Sequence, residues 1–175
     1  MKITLRRLGA IVAILAVSVF IHVAAQMHGD DAHSGPTMNH HRVDARLSTG
    51  GHFVDGGPEA IRKQGVEVVI DLRDKPPPDQ KQKLASLGIE YINIPVVWTS
   101  PERVDFELFR DAMSKHRGDN VLVQCQANYR ASAMTYLYRV LVEQVPEAQA
   151  SKDLYAVWEP SERWAEYMSE ILGSE

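Results

Sequence analysis

Cys125 has the clearest chemical potential in this chain, because it is the only cysteine and it stands where an apolar run ends. The residues after it have the pattern of a helix, and a helix N-terminus gathers backbone N–H groups that bind anions and favour a thiolate over a thiol. Arg130 lies five residues further on and offers a planar fork for two phosphate or sulfate oxygens. A lone cysteine can instead pack as a small apolar side chain. A nucleophile, an anion cradle and a cation together nevertheless favour cysteine-dependent phosphoryl or sulfur transfer.

The loop between Cys125 and the helix predicts a phosphate cradle, because backbone N–H groups curled around three phosphoryl oxygens stabilise the transition state. The Cys125 thiolate would attack phosphorus and form a phosphocysteine that water then hydrolyses. Asn128 stands where a tight loop often needs a positive φ, which asparagine tolerates best among non-glycine residues. Ser132, near the start of the helix, would donate a hydrogen bond to the thiolate or help it to leave. The predicted phosphate-binding residues are Gln126, Ala127, Asn128, Tyr129, Arg130 and Ala131, and the predicted catalytic residues are Cys125, Arg130 and Ser132.

Helices and strands alternate on both sides of this loop. Apolar runs at 66–72, 89–97 and 121–124 predict buried strands, and a shorter strand is predicted at 42–48. This alternation predicts an α/β fold with a central, mostly parallel sheet of about four strands, flanked by helices. Ligands bind outside the carboxyl ends of such strands, and Cys125 follows one of them. The predicted helices cover 56–63, 79–87, 104–116, a stretch after the loop that Pro146 ends, 146–158, and a last stretch that Pro160 starts.

The N-terminus predicts export from the cytoplasm. Three basic residues within the first seven precede an apolar run over 8–23. Small residues at 23–25 suit cleavage before Gln26, so residues 1–25 are predicted to be a signal peptide. An uncleaved anchor helix is the alternative, and it is less favoured because the run is near the lower length limit for a membrane span. In either case the remaining domain would be periplasmic or secreted.

Residues 26–41 have no apolar period and predict a flexible, His-rich linker before a single domain over 42–175. Side chains in this linker could instead bind a metal ion weakly, although their spacing matches no firm ligand pattern. These side chains are His28, Asp30, Asp31, His33, His40 and His41. The prediction is a plain linker without a metal.

Composition and charge exclude several functions. Removal of residues 1–25 leaves 16 basic and 23 acidic residues, which changes the formal net charge from −4 to −7. A domain this acidic, without a basic stripe, is a poor binder of nucleic acid or anionic lipid. A single cysteine forms no internal disulfide, so a thiol in an oxidising compartment favours a function or deep burial.

Three segments carry a family resemblance: 69–73 (VIDLR), 91–96 (YINIPV) and the loop from Cys125 to Arg130. With the residues at 126–133 and 136–139, they resemble the bacterial dual-specificity-phosphatase-like proteins. More narrowly, they are similar to the group related to the beta-lactamase-hydrolase-like phosphatases. The resemblance spans about 42–164. It implies a cysteine-phosphatase fold and a phosphocysteine mechanism without metal or cofactor, in which Cys125 is the nucleophile and Arg130 clamps the phosphate.

The chain departs from the tyrosine-phosphatase pattern in three places. Four residues separate Cys125 from Arg130 instead of five, a spacing shared with rhodanese-like sulfurtransferases. Gln124 stands where those enzymes usually have a histidine. The loop after the strand at 89–97 lacks the usual aspartate, so Glu102 and Asp105 are the predicted candidates for the general acid.

The sequence therefore predicts an exported cysteine-dependent phosphatase that hydrolyses phosphomonoesters, with protein phosphotyrosine as one candidate substrate. Its partner would be a phosphorylated small molecule or protein, and only an uncleaved N-terminal segment would contact a membrane. Two alternatives stay open: a rhodanese-like sulfurtransferase, and a catalytically weak module that binds an anion or a phosphorylated partner. Asp71 and Arg73 are expected to pair or cap at a strand end, with Arg73 as a pocket-lining residue the alternative. Trp98 either forms a pocket wall for an aromatic substrate or covers the core.

Overall fold

Five strands form one sheet in the computed structural model, which describes residues 35–173. They are β1 (His41–Arg42), β2 (Leu47–Gly50), β3 (Val68–Arg73), β4 (Glu90–Val96) and β5 (Val121–Gln124). Their order across the sheet is β1-β2-β5-β3-β4, with β1 antiparallel to β2 and the other neighbouring pairs parallel. The predicted α/β class and mostly parallel sheet are confirmed, with five strands where about four were predicted.

Six helices flank this sheet within the same residues. They are α1 (Gly57–Lys63), α2 (Gln80–Ser86), α3 (Arg103–Lys115), α4 (Tyr129–Leu141), α5 (Glu147–Val157) and α6 (Glu162–Leu172). Pro58 lies in the first turn of α1, where its missing N–H costs nothing. Gly65 and Gly88 follow α1 and α2 with φ of 82° and 70°, a conformation that glycine adopts without strain. Because such glycine and proline residues mark helix ends, the helices lie within a few residues of their predicted positions.

The single short strand predicted at 42–48 is wrong. The structure forms a hairpin there, in which His41 pairs with Thr49 and Arg42 pairs with Ser48. The turn arises because the Asp44 carboxylate accepts the backbone N–H groups of residues 46 and 47, at 2.7 and 2.9 Å. The second strand of the hairpin runs on to Gly50 and pairs with β5, so it leads directly to the edge where the cysteine lies.

The structure also moves the predicted start of the domain. Residues 35–41, assigned to a linker from the sequence, pack against the domain instead. Thr37 pairs with Phe53, and the Met38 N–H donates to the His52 carbonyl at 2.9 Å. The His41 ring lies 2.8 Å from the Asp153 carboxylate on α5. These contacts give residues 35–41 partners that a composition-based reading does not reveal.

The predicted signal peptide and the predicted linker up to residue 34 lie outside the described residues. Within 35–173, no helix is both long enough and apolar enough to cross a lipid bilayer. No cluster of three or more candidate metal-ligating side chains forms within that same range. Burial lowers the pKa of His40, which therefore favours its neutral form in the packed segment.

The sheet separates two apolar clusters. The smaller cluster lies under α1 and α2 and includes Ile61, Val69, Leu84 and Leu122. The larger cluster lies under the remaining helices, and Cys125 belongs to it. Since successive strand residues point to opposite faces, β5 contributes to both clusters and is buried throughout. The cysteine therefore follows a strand that is buried along its whole length.

Candidate active site at the carboxyl edge of the sheet

The cysteine loop, residues 125–130, leaves β5 and runs into α4. Because β5 lies between β2 and β3, the loop emerges at the middle of the carboxyl edge, where open parallel sheets bind ligands. The Cys125 N–H donates to the Gly50 carbonyl at 3.0 Å, and Gly51 pairs with Ala127. A Cβ at Gly51 would lie 2.8 Å from the Gln126 carbonyl oxygen, so only glycine allows this close approach. The continuation of β2 thus fixes the path of the loop.

His52 also supports the cysteine loop. Its backbone N–H donates to the Gln126 carbonyl at 3.0 Å, and its ring Nδ1 lies 3.0 Å from the same oxygen. A ring nitrogen bonds a carbonyl oxygen only as a donor, so this contact assigns the proton to Nδ1. The imidazole therefore helps to orient the second residue of the loop.

Asn128 has the positive φ that the sequence predicted, with a value of 71°. It is the N-cap residue of α4, and its carbonyl accepts the Ser132 N–H at 2.9 Å. Its side-chain Nδ2 donates to the Asn39 carbonyl at 2.6 Å, while the Asn39 side chain donates to the Ala127 carbonyl at 3.2 Å. The segment before β1 therefore helps to shape the cysteine loop, a contribution that was not predicted from the sequence.

Cys125 is a free thiol with 1% of its surface exposed. It precedes a helix of 13 residues, whose first backbone N–H groups have no helical acceptor. These N–H groups and the aligned peptide dipoles attract negative charge. The nucleophile candidate thus lies at the end of β5, shortly before the N-terminus of α4.

Arg130 lies in the first turn of α4, and 6% of its surface is exposed. Both of its hydrogen bonds come from Nη1, which donates to the Asp74 carboxylate at 3.2 Å and to the Val96 carbonyl at 2.5 Å. Nε and Nη2 have no protein partner among the described residues, and neither is sealed from solvent. One edge of the guanidinium is therefore anchored, and the other edge has donors available for an anion.

Asp74 follows directly after β3, and its side chain is 38% exposed. The hydrogen bond from Arg130 lowers the pKa of this carboxyl, so it stays ionised at neutral pH. Asp74 was not among the site residues predicted from the sequence. The position of Asp74 directly after β3 could have identified it as a candidate, because the carboxyl end of β3 is adjacent to that of β5.

A buried polar network lies beside the cysteine loop. Arg73 donates from Nε and Nη2 to the Asp71 carboxylate at 2.7–3.1 Å, which confirms the expected pair. Gln80 bridges them, since it accepts from Arg73 at 2.5 Å and donates to Asp71 at 3.0 Å. The Tyr91 hydroxyl donates to the same carboxylate at 2.9 Å, and burial raises the pKa of that phenol. The buried charges are thereby matched and hydrogen-bonded.

Gln124, the residue before the cysteine, joins this network. Its side-chain oxygen accepts from Gln80 at 2.8 Å, and its side-chain nitrogen donates to the Gly51 carbonyl at 2.9 Å. It is fully buried. Both polar atoms of this neutral side chain are therefore hydrogen-bonded, and they connect α2 to the end of β2.

Ser132 makes two hydrogen bonds on the α4 side of the loop. Its hydroxyl donates to the Tyr129 carbonyl at 3.1 Å and accepts from the Trp158 indole at 3.1 Å. These contacts couple the start of α4 to the end of α5. Donation from Ser132 to the Cys125 thiolate stays a prediction.

Glu102 and Asp105, the predicted general-acid candidates, form a capping box at the start of α3. The Glu102 N–H donates to the Asp105 carboxylate at 2.8 Å. Burial raises the pKa of Asp105, which makes its protonated form more accessible than that of an exposed aspartate. Both side chains therefore stabilise a helix end, and their role in proton transfer stays a prediction.

An aromatic cluster adjoins the cysteine loop. Tyr129, a loop residue, stacks on Trp158 with ring centroids 4.6 Å apart, and Trp98 lies 6.1 Å from Tyr129. Trp98 also stacks on Trp164 at 5.3 Å, yet it is 38% exposed, whereas Trp164 is buried. Trp98 comes two residues after Val96, whose carbonyl anchors Arg130. Trp98 therefore covers buried rings, as one of the two predictions had it, and its role as a pocket wall for an aromatic substrate stays a prediction.

A family model described as "DSP-PTPase phosphatase fused to NAD+ Kinase" matches residues 16–169 of this chain. The chain belongs to the dual-specificity and tyrosine phosphatase family. No curated protein matched the chain in a sequence comparison. The family confirms the resemblance seen in the sequence and supports hydrolysis of phosphoesters.

Solved structures agree with this family. A DUF442 protein from Shewanella putrefaciens CN-32, described as a phosphatase, is 32% identical with a TM-score of 0.68, covering 78% of this chain and 90% of its own. A protein from Neisseria meningitidis, also described as a phosphatase, is 22% identical with a TM-score of 0.60 over 77% and 99%. TpbA of P. aeruginosa, solved in complex with phosphotyrosine, is 14% identical with a TM-score of 0.64 over 79% and 88%. The last two similarities show the cysteine-phosphatase fold alone.

Proposed function

We propose that this phosphatase-family protein hydrolyses phosphomonoesters, with Cys125 as nucleophile and Arg130 as the phosphate clamp. The observation that carries the proposal is the arrangement of Arg130, which is anchored through Nη1 and keeps Nε and Nη2 available next to the cysteine loop. Two parallel N–H donors on a planar group match two oxygens of a phosphoryl group. Backbone N–H groups of residues 126–131 would bind the remaining oxygen and the developing charge.

The proposed reaction has two displacements. The Cys125 thiolate attacks phosphorus, the S–P bond forms, and the P–O bond to the leaving group breaks as that oxygen takes a proton. Glu102 and Asp105 are the candidate proton donors. Water then attacks phosphorus and the S–P bond breaks, which releases inorganic phosphate and restores the thiolate. No metal or redox cofactor is needed for either step.

The proposed substrates are aryl phosphates, including phosphotyrosine. Trp98 and Tyr129 place aromatic surface close to Val96, whose carbonyl binds Arg130. The aromatic ring of a substrate could stack favourably on these side chains. The phosphotyrosine complex of TpbA, a protein of the same fold, supports this choice.

The proposed location is outside the cytoplasm, in the periplasm or secreted. The basic start, the apolar run over 8–23 and the small residues before Gln26 support it. Expression of the full chain in a bacterium should give an exported protein whose N-terminus is Gln26, as read by N-terminal sequencing. A cytoplasmic protein that keeps residue 1 would contradict export, and an exported but uncleaved chain would indicate an anchor.

The test of the activity uses the purified full chain, 4-nitrophenyl phosphate as substrate and orthovanadate as a phosphate-like inhibitor. The wild type should turn over and Cys125→Ser should not, while both should bind vanadate. Equal turnover in both proteins would contradict the nucleophile. Vanadate binding by the wild type without turnover would instead favour the anion-binding module. A mass gain of one sulfur on Cys125 after thiosulfate treatment would favour the sulfurtransferase.

A further inference from the structure

We propose that Asp74 is a positioning residue for the reaction, which holds Arg130 by one edge so that its other edge meets the phosphate. The inference rests on the phosphatase function proposed above. It starts from the asymmetry of Arg130, whose two hydrogen bonds both come from Nη1 while Nε and Nη2 bind no protein atom in 35–173. If Nη1 were not held, the long arginine side chain would populate several rotamers. Restricting it to one rotamer when an anion binds would then cost conformational entropy.

Two anchors of different kinds hold this nitrogen. The Val96 carbonyl at the end of β4 is part of the backbone and cannot move without the sheet. The Asp74 carboxylate belongs to the loop after β3 and adds a charge-assisted bond at 3.2 Å. The strands that carry the two anchors are neighbours, so both anchors lie at the same edge of the sheet as the cysteine loop. Asp74 therefore fixes the rotation of the guanidinium about an anchor that the sheet supplies.

The charge state of Asp74 distinguishes positioning from proton donation. Arg130 lowers the pKa of this carboxyl, so it is ionised when the site is empty and has no proton to give. An ionised carboxylate orients the guanidinium at all pH values above its lowered pKa. A proton donor would need the opposite shift.

The experiment compares Asp74→Ala and Asp74→Asn with the wild type and with Asp55→Asn. Asp55 is an exposed aspartate of the loop after β2 and serves as the control for loss of one negative charge near this edge. Vanadate dissociation constants and steady-state kinetics are measured on the full chain with 4-nitrophenyl phosphate and phenyl phosphate. These two substrates differ in the pKa of the leaving phenol. A thermal melt of each variant confirms that it is folded.

Positioning predicts that Asp74→Ala raises the vanadate dissociation constant and lowers kcat/KM by about tenfold, by the same factor for both substrates. Asp74→Asn keeps one acceptor oxygen, so its loss should be smaller, and Asp55→Asn should match the wild type.

Three results would overturn the inference. A loss that grows with the pKa of the leaving phenol would make Asp74 the proton donor. Tighter vanadate binding by Asp74→Ala would make Asp74 a competitor for the anion. Unchanged binding and kinetics would show that the Val96 carbonyl anchors Arg130 alone. A wild type that neither turns over nor binds vanadate would refute the proposed function itself, and the wild-type arm reads this without any variant.

Discussion

Two arginine–aspartate pairs lie at the carboxyl edge of this sheet, and they use their guanidinium groups differently. Arg73 gives Nε and Nη2 to Asp71 and Gln80, and the paired side chains are 5% and 0% exposed. Arg130 gives only Nη1, and its partner Asp74 is 38% exposed. In the first pair, Nε and Nη2 of the guanidinium are hydrogen-bonded within the protein. In the second pair only Nη1 is, so Nε and Nη2 can donate to a ligand.

This difference separates stability from function at one edge of the fold. Removal of one partner from a buried ion pair is costly because the other charge stays buried and unmatched. A pair with an exposed partner contributes little, since water and salt screen it. Substitution in the Arg73 pair should therefore lower the stability of the fold at the strand ends and at Gln124. Substitution of Arg130 should mainly weaken anion binding.

The largest expected effect is the loss of stability in Arg73→Met. The Asp71 carboxylate would then stay buried without its cationic partner, with the backbone N–H of residue 73, Gln80 and Tyr91 as its remaining donors, at a cost of about 3–5 kcal/mol in the free energy of unfolding. Arg130→Met is the matched control and should cost only ~1–2 kcal/mol. Urea unfolding followed by circular dichroism measures both values. Similar losses in the two variants would remove the contrast between the pairs.

The second effect concerns Arg130, where a substitution should lower activity strongly and change stability little. Arg130→Lys keeps a positive charge but loses the planar fork, so kcat/KM for 4-nitrophenyl phosphate should fall on the order of 10²–10³-fold. The melting temperature should change little. Wild-type kinetics in this variant would mean that a point charge suffices, and the two available donors of Arg130 would lose their significance.

A smaller effect is expected at Asn128, where the loop backbone has φ of 71°. Asn128→Ala and Asn128→Gly both lose the bond to the Asn39 carbonyl, but only alanine is strained at this φ. The alanine variant should therefore be less stable than the glycine variant by about 1–2 kcal/mol, as measured by thermal unfolding. Equal stability of the two variants would argue that the loop adopts another conformation in solution.

The smallest effect is the pH dependence of the Asp74 pair. The pKa of Asp74 is lowered in the folded protein, so the stability it contributes is present above the unfolded-state pKa of about 3.9 and is lost as pH falls through the folded value. The difference in melting temperature between wild type and Asp74→Asn should be small, constant from neutral pH down to that range, and vanish below it. A difference that grows towards neutral pH would contradict the sign of this shift.

Local signals predicted much of the fold. The strand at 121–124 was placed to the residue, because an apolar run there is bounded by polar residues. Glycines and prolines placed the helix ends, and the loop position of Asn128 predicted its positive φ. The hairpin at the start was missed, since it depends on one aspartate side chain that accepts two backbone N–H groups.

Contacts between distant residues were less accessible from the sequence. Arg130 was recognised from its spacing to Cys125, but its partners Asp74 and Val96 are 56 and 34 residues away. Asn39 bonds Asn128 across 89 residues, from a segment whose composition is that of a linker. These partners follow from the strand order, which determines the loops that meet at the carboxyl edge.

The role of Cys125 as nucleophile can be tested directly by a rapid-quench experiment on the full chain with 4-nitrophenyl phosphate, followed by intact mass measurement under acid. A phosphocysteine is stable enough at low pH to be observed when its hydrolysis is slower than its formation. We expect a transient mass gain of one phosphoryl group in the wild type, located on the peptide that contains Cys125, and no gain in Cys125→Ser. Its amplitude should fall in Arg130→Lys. Turnover without any phosphorylated cysteine, or a phosphoryl group on another residue, would contradict the central claim.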